Sequence, residues 1–155
     1  MAWISIALRK QGLKASVNEL TYEDIQLSRK VRSVHRHLAH EQSRINNDQA
    51  KELREIKSDY TKIRNKRPDD VKDDDYAQWQ ADYNEAQEDY QSRKQDIQDY
   101  YDDLKEEIEA EAQEEEDTLQ DQITDTEAQR DAQSAELQSI TDQIKTEIEG
   151  SAVKF

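Results

Sequence analysis

The 155-residue sequence contains no cysteine, one proline and two glycines. The absence of cysteine excludes disulfide bridges, thiolate nucleophiles and cysteine-based zinc sites within this chain. The scarcity of proline and glycine leaves little to interrupt a helix, because these two residues are the strongest helix breakers. Residues 13–149 contain one proline and no glycine. Long, uninterrupted helices are therefore expected.

Hydrophobic residues are also few, at 33% of the chain, whereas 38% of the residues are charged. A composition this polar indicates either disorder or long helices that bury a narrow apolar stripe, and sustained periodicity distinguishes the two. The longest apolar run, residues 2–8, is too short to cross a bilayer and lacks the preceding basic residues of a signal peptide. We expect a protein without a transmembrane segment that is not secreted by a signal peptide.

Charge divides the chain into two unlike halves. Residues 1–67 contain fifteen basic and eight acidic side chains, whereas residues 68–155 contain seven basic and twenty-nine acidic ones. Such asymmetry is typical of a nucleic-acid-binding arm with an acidic tail, but also of two helices that attract each other within one hairpin. The spacing of the apolar residues distinguishes these two interpretations.

Apolar residues of the first half recur at steps of three, four and seven, which is typical of a coiled-coil seam. They are Leu13, Val17, Leu20, Leu27, Val31, Val34, Leu38 and Ile45. The seam resumes at Leu53 after a step of eight residues, which indicates a stutter that locally unwinds the supercoil.

The second half repeats one pattern over five heptads: an aspartate precedes each apolar seam residue from Tyr76 to Leu104. An acidic column beside a seam is where interhelical ion pairs form in coiled coils. The residues expected to pair the two helices are Asp75, Tyr76, Trp79, Asp82, Tyr83, Asp89 and Tyr90.

Pro68 lies between the two patterns, among aspartates that favour a helix N-terminus, and so predicts a turn. The predicted fold is all-α, a long antiparallel helical hairpin or coiled coil with unequal arms. Its segments are an apolar docking segment at 1–12, a basic helix at 13–64, the turn at 65–74, an acidic helix at 75–149 and a tail at 150–155. This register places Leu13 near Thr126, so the second helix outruns the first beyond about residue 127. Gly12 would permit the docking segment to break away and fold over part of that overhang.

Three histidines within six residues form the one cluster that resembles a site. His37 and Glu41 lie one helical turn apart and could share a metal ion with His40. No HExxH motif and no cysteine accompany them, so solvated or ion-paired histidines are the preferred interpretation, and no metal or other cofactor is expected.

Other chemistry is not indicated by the sequence. The basic first helix alone would suggest nucleic acid, but the net charge of −15 repels a polyanion and argues against direct binding. No glycine-rich phosphate loop or nucleophile elbow is present, and a two-helix hairpin has little concave volume, so we do not expect an enzyme.

Both ends of the chain carry apolar residues that a hairpin of this predicted register leaves open. They are expected to bind other copies of the chain or proteins of a larger assembly. The predicted partner-binding residues are Trp3, Ile4, Leu8, Leu137, Ile140, Ile144, Ile148 and Phe155.

The short apolar start, long acidic heptads and lack of cysteine resemble small helical virion or scaffold-type proteins of tailed bacteriophages. The resemblance covers the whole chain loosely and implies a non-enzymatic structural component of a virion, found in the virion or the host cytoplasm. Two alternatives stay open. One is an adaptor or chaperone-like module for a basic or nucleic-acid-handling partner, and the other is a peripheral membrane protein attached by its N-terminal segment.

Overall fold

The protein forms two long α-helices joined by a short connection. The computed structural model describes residues 2–72 and 74–152, except for the side chains of Ala2 and Trp3. Helix α1 spans Ala2–Arg64 and helix α2 spans Asp74–Ala152. Polar contacts such as Arg130 to Asp24 and Tyr101 to Glu52 join residues of α1 to residues of α2. The predicted all-α hairpin with arms of unequal length is confirmed.

Helix α1 begins eleven residues before the predicted start at residue 13. The predicted docking segment at 1–12 is therefore part of α1 in its described residues, and the helix passes through Gly12 without a break. Neither glycine of the chain has a positive φ angle. Residues 2–11 contain no proline, and one glycine in a helix interior costs only about 1 kcal/mol relative to alanine. Helical hydrogen bonding on both sides of Gly12 offsets a cost of that size.

The connection between the helices includes Pro68, as predicted. The first turn of α2 carries Asp74 and Asp75, and the last turn of α1 carries Lys62 and Arg64, so both helix dipoles are complemented there. At its other end α2 continues through Gly150 to Ala152, beyond the predicted end at residue 149. A single glycine without a following proline does not stop a helix.

The chain divides into two compact units. The terminal unit consists of Met1–His35 with Gln113–Phe155, and the turn unit consists of Arg36–Ala112. Leu20, Leu27 and Val34 are the buried residues of α1 in the terminal unit, seven residues apart as the heptad seam predicts. Leu119, Ile123, Thr126 and Ile140 are their buried counterparts on α2. Burial of each aliphatic side chain contributes about 1.5–3 kcal/mol.

The core of the turn unit has a different period. Ile45 and Ile56 are its buried aliphatic residues on α1, eleven residues apart, and Tyr101 is buried on α2. An eleven-residue spacing is the period that a stutter produces, so the stutter predicted before Leu53 agrees with the buried positions.

The predicted register of the hairpin is wrong. A register with Leu13 beside Thr126 would place Asp24 beside Glu115, fifteen residues before the Arg130 that it contacts. Asp24 contacts Arg130, Arg9 contacts Glu136, and Ala7 lines one groove with Ile144. The segment of α2 beyond residue 127 is thus not an unpaired overhang. Two differences account for this: α1 begins eleven residues earlier than predicted, and its pairing is shifted along α2.

Candidate docking surface

Aromatic side chains predicted to pair the helices do so in the turn unit. The ring of Tyr60 on α1 stacks on Tyr90, with centroids 5.1 Å apart, and its hydroxyl donates a hydrogen bond of 2.7 Å to the Tyr83 hydroxyl. That hydrogen bond, with burial adding to it, raises the pKa of Tyr60. Trp79 donates its indole N–H to the carbonyl oxygen of Ile63 over 3.0 Å. These contacts tie the beginning of α2 to the end of α1.

An arginine of the connection completes this aromatic cluster. The guanidinium carbon of Arg67 lies 5.8 Å from the ring centroids of both Tyr76 and Trp79. A cation at this distance from an aromatic face is attracted by the ring quadrupole. All four aromatic residues predicted for the pairing of the helices, Tyr76, Trp79, Tyr83 and Tyr90, therefore belong to one cluster around the turn.

Two aspartates of the acidic column, Asp82 and Asp89, contact residues of α2. Asp82 accepts a hydrogen bond of 2.8 Å from Gln78, and Asp89 lies 3.6 Å from Arg93, so both contacts stay within α2. Asp82 and Asp89 are exposed, because each precedes a seam residue and so lies on the outer flank of the helix.

Other polar residues connect the helices instead. In the terminal unit, Arg130 donates to Asp24 over 3.2 Å, and both side chains are half-buried. Asp24 interrupts the apolar seam in the sequence, which is the one signal that could have identified this pair. Further polar contacts between α1 and α2 join Arg9 to Glu136, His35 to Glu116, Gln42 to Glu109, Gln49 to Lys105, and Glu52 to Tyr101.

Tyr101 lies at an open groove of about 420 Å³ in the turn unit, together with Ile56 and Ile97. Its hydroxyl donates a hydrogen bond of 2.7 Å to the Glu52 carboxylate. This bond, with burial and the negative charge of Glu52 adding to it, raises the pKa of Tyr101 to about 12. At neutral pH the group is a hydrogen-bond donor that helps to hold the two helices together.

The histidine cluster does not gather a set of metal ligands. His40 lies 3.5 Å from Glu41, which also contacts Arg44 at 2.7 Å, while His37 is exposed. Among residues 2–72 and 74–152, no group of three or more metal-ligating side chains comes together. Glu41 acts here as an ion-pair partner.

The predicted partner-binding residues fall into three groups. Ile140 is buried in the hairpin with 6% of its surface exposed, so its assignment to a partner surface is wrong. Since α1 reaches this part of α2, Ile140 is covered within the chain. Leu137 and Ile144 are half-buried for the same reason. The third group, Ile4, Leu8 and Ile148, is exposed. Phe155 and the side chain of Trp3 lie outside the part of the chain that the structure describes.

Exposed apolar residues surround the open end of the terminal unit, where α1 begins and α2 ends. Ala7, Ile144 and Ile148 line an apolar groove of about 420 Å³ there, with Glu147 and Ser151 at its edge. Leu8 and Ile148 each expose 64% of their surface. This end of the terminal unit is the candidate docking surface.

Comparisons with protein-family models, with curated proteins and with solved structures find no significant match. Neither helix, over the residues described, contains a segment long and apolar enough to span a membrane.

Proposed function

We propose that the protein is a non-enzymatic structural component of a multi-subunit assembly, which it joins through the open end of its hairpin. The observation that carries this proposal is the exposure of Leu8 and Ile148 beside the groove that Ala7 and Ile144 line. A large aliphatic side chain gains about 1.5–3 kcal/mol on complete burial. Docking onto another protein is the route to that gain for residues that the hairpin leaves exposed.

The polar contacts of the chain support a structural role. Asp24 with Arg130 in the terminal unit and Tyr60 with Tyr83 in the turn unit connect the helices to each other. Their chemistry fixes the alignment of the two helices within each unit, which is what a structural component needs. By its sequence resemblance, the assembly that we propose is a tailed-phage virion or its scaffold.

Substitution of Ile148 by serine tests this function. We expect Ile148→Ser to lower the fraction of the chain that migrates with a large particle in a density gradient of extract from cells that make the protein. Tyr100→Ser is the matched control, because Tyr100 is 62% exposed but lies in the turn unit. Circular dichroism should show equal helix content in both variants.

Normal migration of the Ile148→Ser variant with the particle would show that the open end is not the attachment surface. Migration of the unaltered chain at the mass of a small free protein would contradict membership of an assembly altogether.

A further inference from the structure

A second heptad stripe runs along α1 in the terminal unit, in addition to the seam that packs on α2. Its seven positions follow one another at alternating steps of four and three residues, the spacing of a coiled-coil face. We name it the outer stripe, and its members are Ile4, Leu8, Gln11, Ala15, Asn18, Tyr22 and Ile25. All seven residues are exposed.

The outer stripe lies on the side of α1 that faces away from α2. Tyr22 follows the buried Leu20 by two residues, and Ile25 precedes the buried Leu27 by two. Two residues correspond to roughly 200° of rotation around an α-helix. The two stripes thus occupy opposite faces of one helix, and the hairpin itself cannot cover the outer one.

Large apolar residues on the outer stripe stay open to solvent. Tyr22 exposes 64% of its surface and Ile25 exposes 44%, close to the values for Leu8 and Ile4. These four residues account for more than half of the exposed large hydrophobic residues of the described chain. Their heptad spacing fits another helix, since a helix is the surface that meets residues at steps of three and four.

The order of residue types along the outer stripe is the same when the stripe is read from either end. Two apolar residues, a polar residue, the small Ala15, a polar residue and two apolar residues follow one another. A twofold axis makes each surface meet itself in reverse, so this order is self-complementary in an antiparallel pair. Ile4 then lies near Ile25 of the other copy, Leu8 near Tyr22, and Gln11 near Asn18. The side chain of Ala15 allows the helices to approach closely at the centre.

Charge selects the antiparallel direction. Arg29 and Arg32 continue the spacing of the outer stripe after Ile25, and a parallel pair would place each arginine against its own copy. In the antiparallel pair both arginines extend beyond the shared stripe. On one flank of the outer stripe, Arg9 lies beside the first half, and Glu19 and Glu23 lie beside the second half. Antiparallel alignment brings these opposite charges alongside each other, which favours the correct register.

We propose that the outer stripe binds a second copy of this chain, with the two α1 helices antiparallel. The inference rests on the proposed function and deepens it by identifying one partner of the assembly as another copy of the same chain. Each copy keeps its hairpin, and the contact between copies is made by residues 4–25 of α1.

The first arm of the test is the mass of the purified full chain. Sedimentation equilibrium should show a dimer that dissociates on dilution, and the double substitution Leu8→Ser with Tyr22→Ser should weaken dimerisation at least tenfold. Tyr100→Ser, which removes an equally exposed tyrosine outside the stripe, should leave the mass unchanged. Equal helix content of all three proteins by circular dichroism shows that the hairpin is intact.

The second arm of the test determines whether the two α1 helices are antiparallel. Because the chain has no native cysteine, a disulfide can form only between introduced cysteines. Ser5 and Gln26 lie on the same flank of the stripe near its two ends. Cysteines at these positions are about 32 Å apart within one α1, too far for a disulfide inside the chain. A mixture of the Ser5→Cys and Gln26→Cys proteins should form the mixed disulfide under mild oxidation, whereas Ser5→Cys alone should form little.

A monomeric mass at every concentration overturns the inference, as does a dimer that the Leu8→Ser and Tyr22→Ser substitutions do not weaken. Efficient crosslinking of Ser5→Cys to itself would show a parallel pair and overturn the antiparallel one. These outcomes differ from failure of the proposed function. If the chain is monomeric in solution but its migration with the particle still depends on Ile148, the proposed function stands and only the binding of a second copy is ruled out.

Discussion

At the scale of single residues, the hairpin buries polar side chains at positions where an apolar residue would be usual. Thr126 is buried in the seam of the terminal unit, and the side-chain oxygen of Gln133 is buried with no hydrogen-bond partner among the described residues. Unsatisfied polar groups cost about 1–3 kcal/mol, so the terminal unit gives up stability at Gln133. Polar residues in a coiled-coil seam restrict which registers are possible, and this is the benefit that offsets the cost.

Tyr101 is the residue whose ionisation should affect stability most clearly. Its pKa is raised to about 12 in the folded protein by the hydrogen bond to Glu52, so the folded state holds the phenolic proton more tightly than the unfolded chain does, whose tyrosines ionise near pH 10. The resulting stabilisation is complete below pH 10 and is lost as the pH rises towards 12.

We expect Tyr101→Phe to make the free energy of unfolding less dependent on pH between 10 and 12 than in the unaltered protein. Urea titrations at several pH values measure this. Tyr100→Phe is the control, since Tyr100 is exposed and adjacent in sequence. An identical pH dependence in Tyr101→Phe and the unaltered protein would mean that the hydrogen bond to Glu52 is not maintained in solution.

At the scale of elements, α1 contains one position that is poorly suited to a helix. Gly12 lies in the helix interior without a positive φ angle, and no atom lies within 4 Å of the place where a Cβ would be. An alanine side chain fits there without displacing a neighbour, and alanine loses less backbone entropy than glycine on folding.

Gly12→Ala should therefore raise the free energy of unfolding by about 0.5–1 kcal/mol. Gly150→Ala should have a smaller effect, because Gly150 lies two residues from the end of α2, where helices fray. Urea denaturation of both variants at one concentration measures the difference. Destabilisation by Gly12→Ala would show that the helix is interrupted there in solution, as the sequence had suggested.

The elements of this fold were easier to predict than their alignment. Pro68 located the turn, and the heptad spacing of Leu20, Leu27 and Val34 identified residues that are in fact buried. Heptads do not determine which turn of α1 lies beside which turn of α2, because a shift by a whole repeat keeps apolar residues opposite apolar residues. Specific pairs such as Asp24 with Arg130 decide the register, and although Asp24 stands out as an interruption of the seam, nothing in the sequence identifies Arg130 as its partner.

The candidate surface was predicted in part for the same reason. Ile4, Leu8 and Ile148 are exposed as expected, but Ile140 was misplaced because the register was wrong. Tyr22 and Ile25 were missed altogether. Their signal was present in the sequence, as apolar residues at heptad spacing outside the main seam, yet only the position of α2 shows which of two apolar faces is left open.

At the scale of the whole molecule, charge is poorly balanced. Helix α1 contains five more basic than acidic side chains, whereas α2 contains twenty-one more acidic than basic ones. The basic helix can neutralise only a small part of the acidic one. Mutual repulsion of the remaining acidic residues destabilises the folded state, and salt weakens that repulsion by screening.

We expect the melting temperature to rise when sodium chloride is added from low to physiological ionic strength. Neutralising two exposed residues of the acidic run, in the double variant Glu114→Gln with Glu115→Gln, should raise the melting temperature at low salt and reduce the response to salt. Scanning calorimetry or circular dichroism measures both. A melting temperature that falls with salt would show that attraction between the helices, rather than repulsion within α2, dominates the electrostatics.

The position of Ala7 beside Ile144 and Ser151 also has a mechanical consequence. Because α1 begins where α2 ends, a force that pulls these two helix ends apart acts on the terminal unit across its seam. Such a force acts first on the side-chain contacts at the open end. Contacts further along the helices, such as those around Ile140, come under load only after the first contacts have broken. A pull along the helix axes would load all layers together. The terminal unit should therefore open at a much lower force when its two ends are separated than when its helices are sheared past each other.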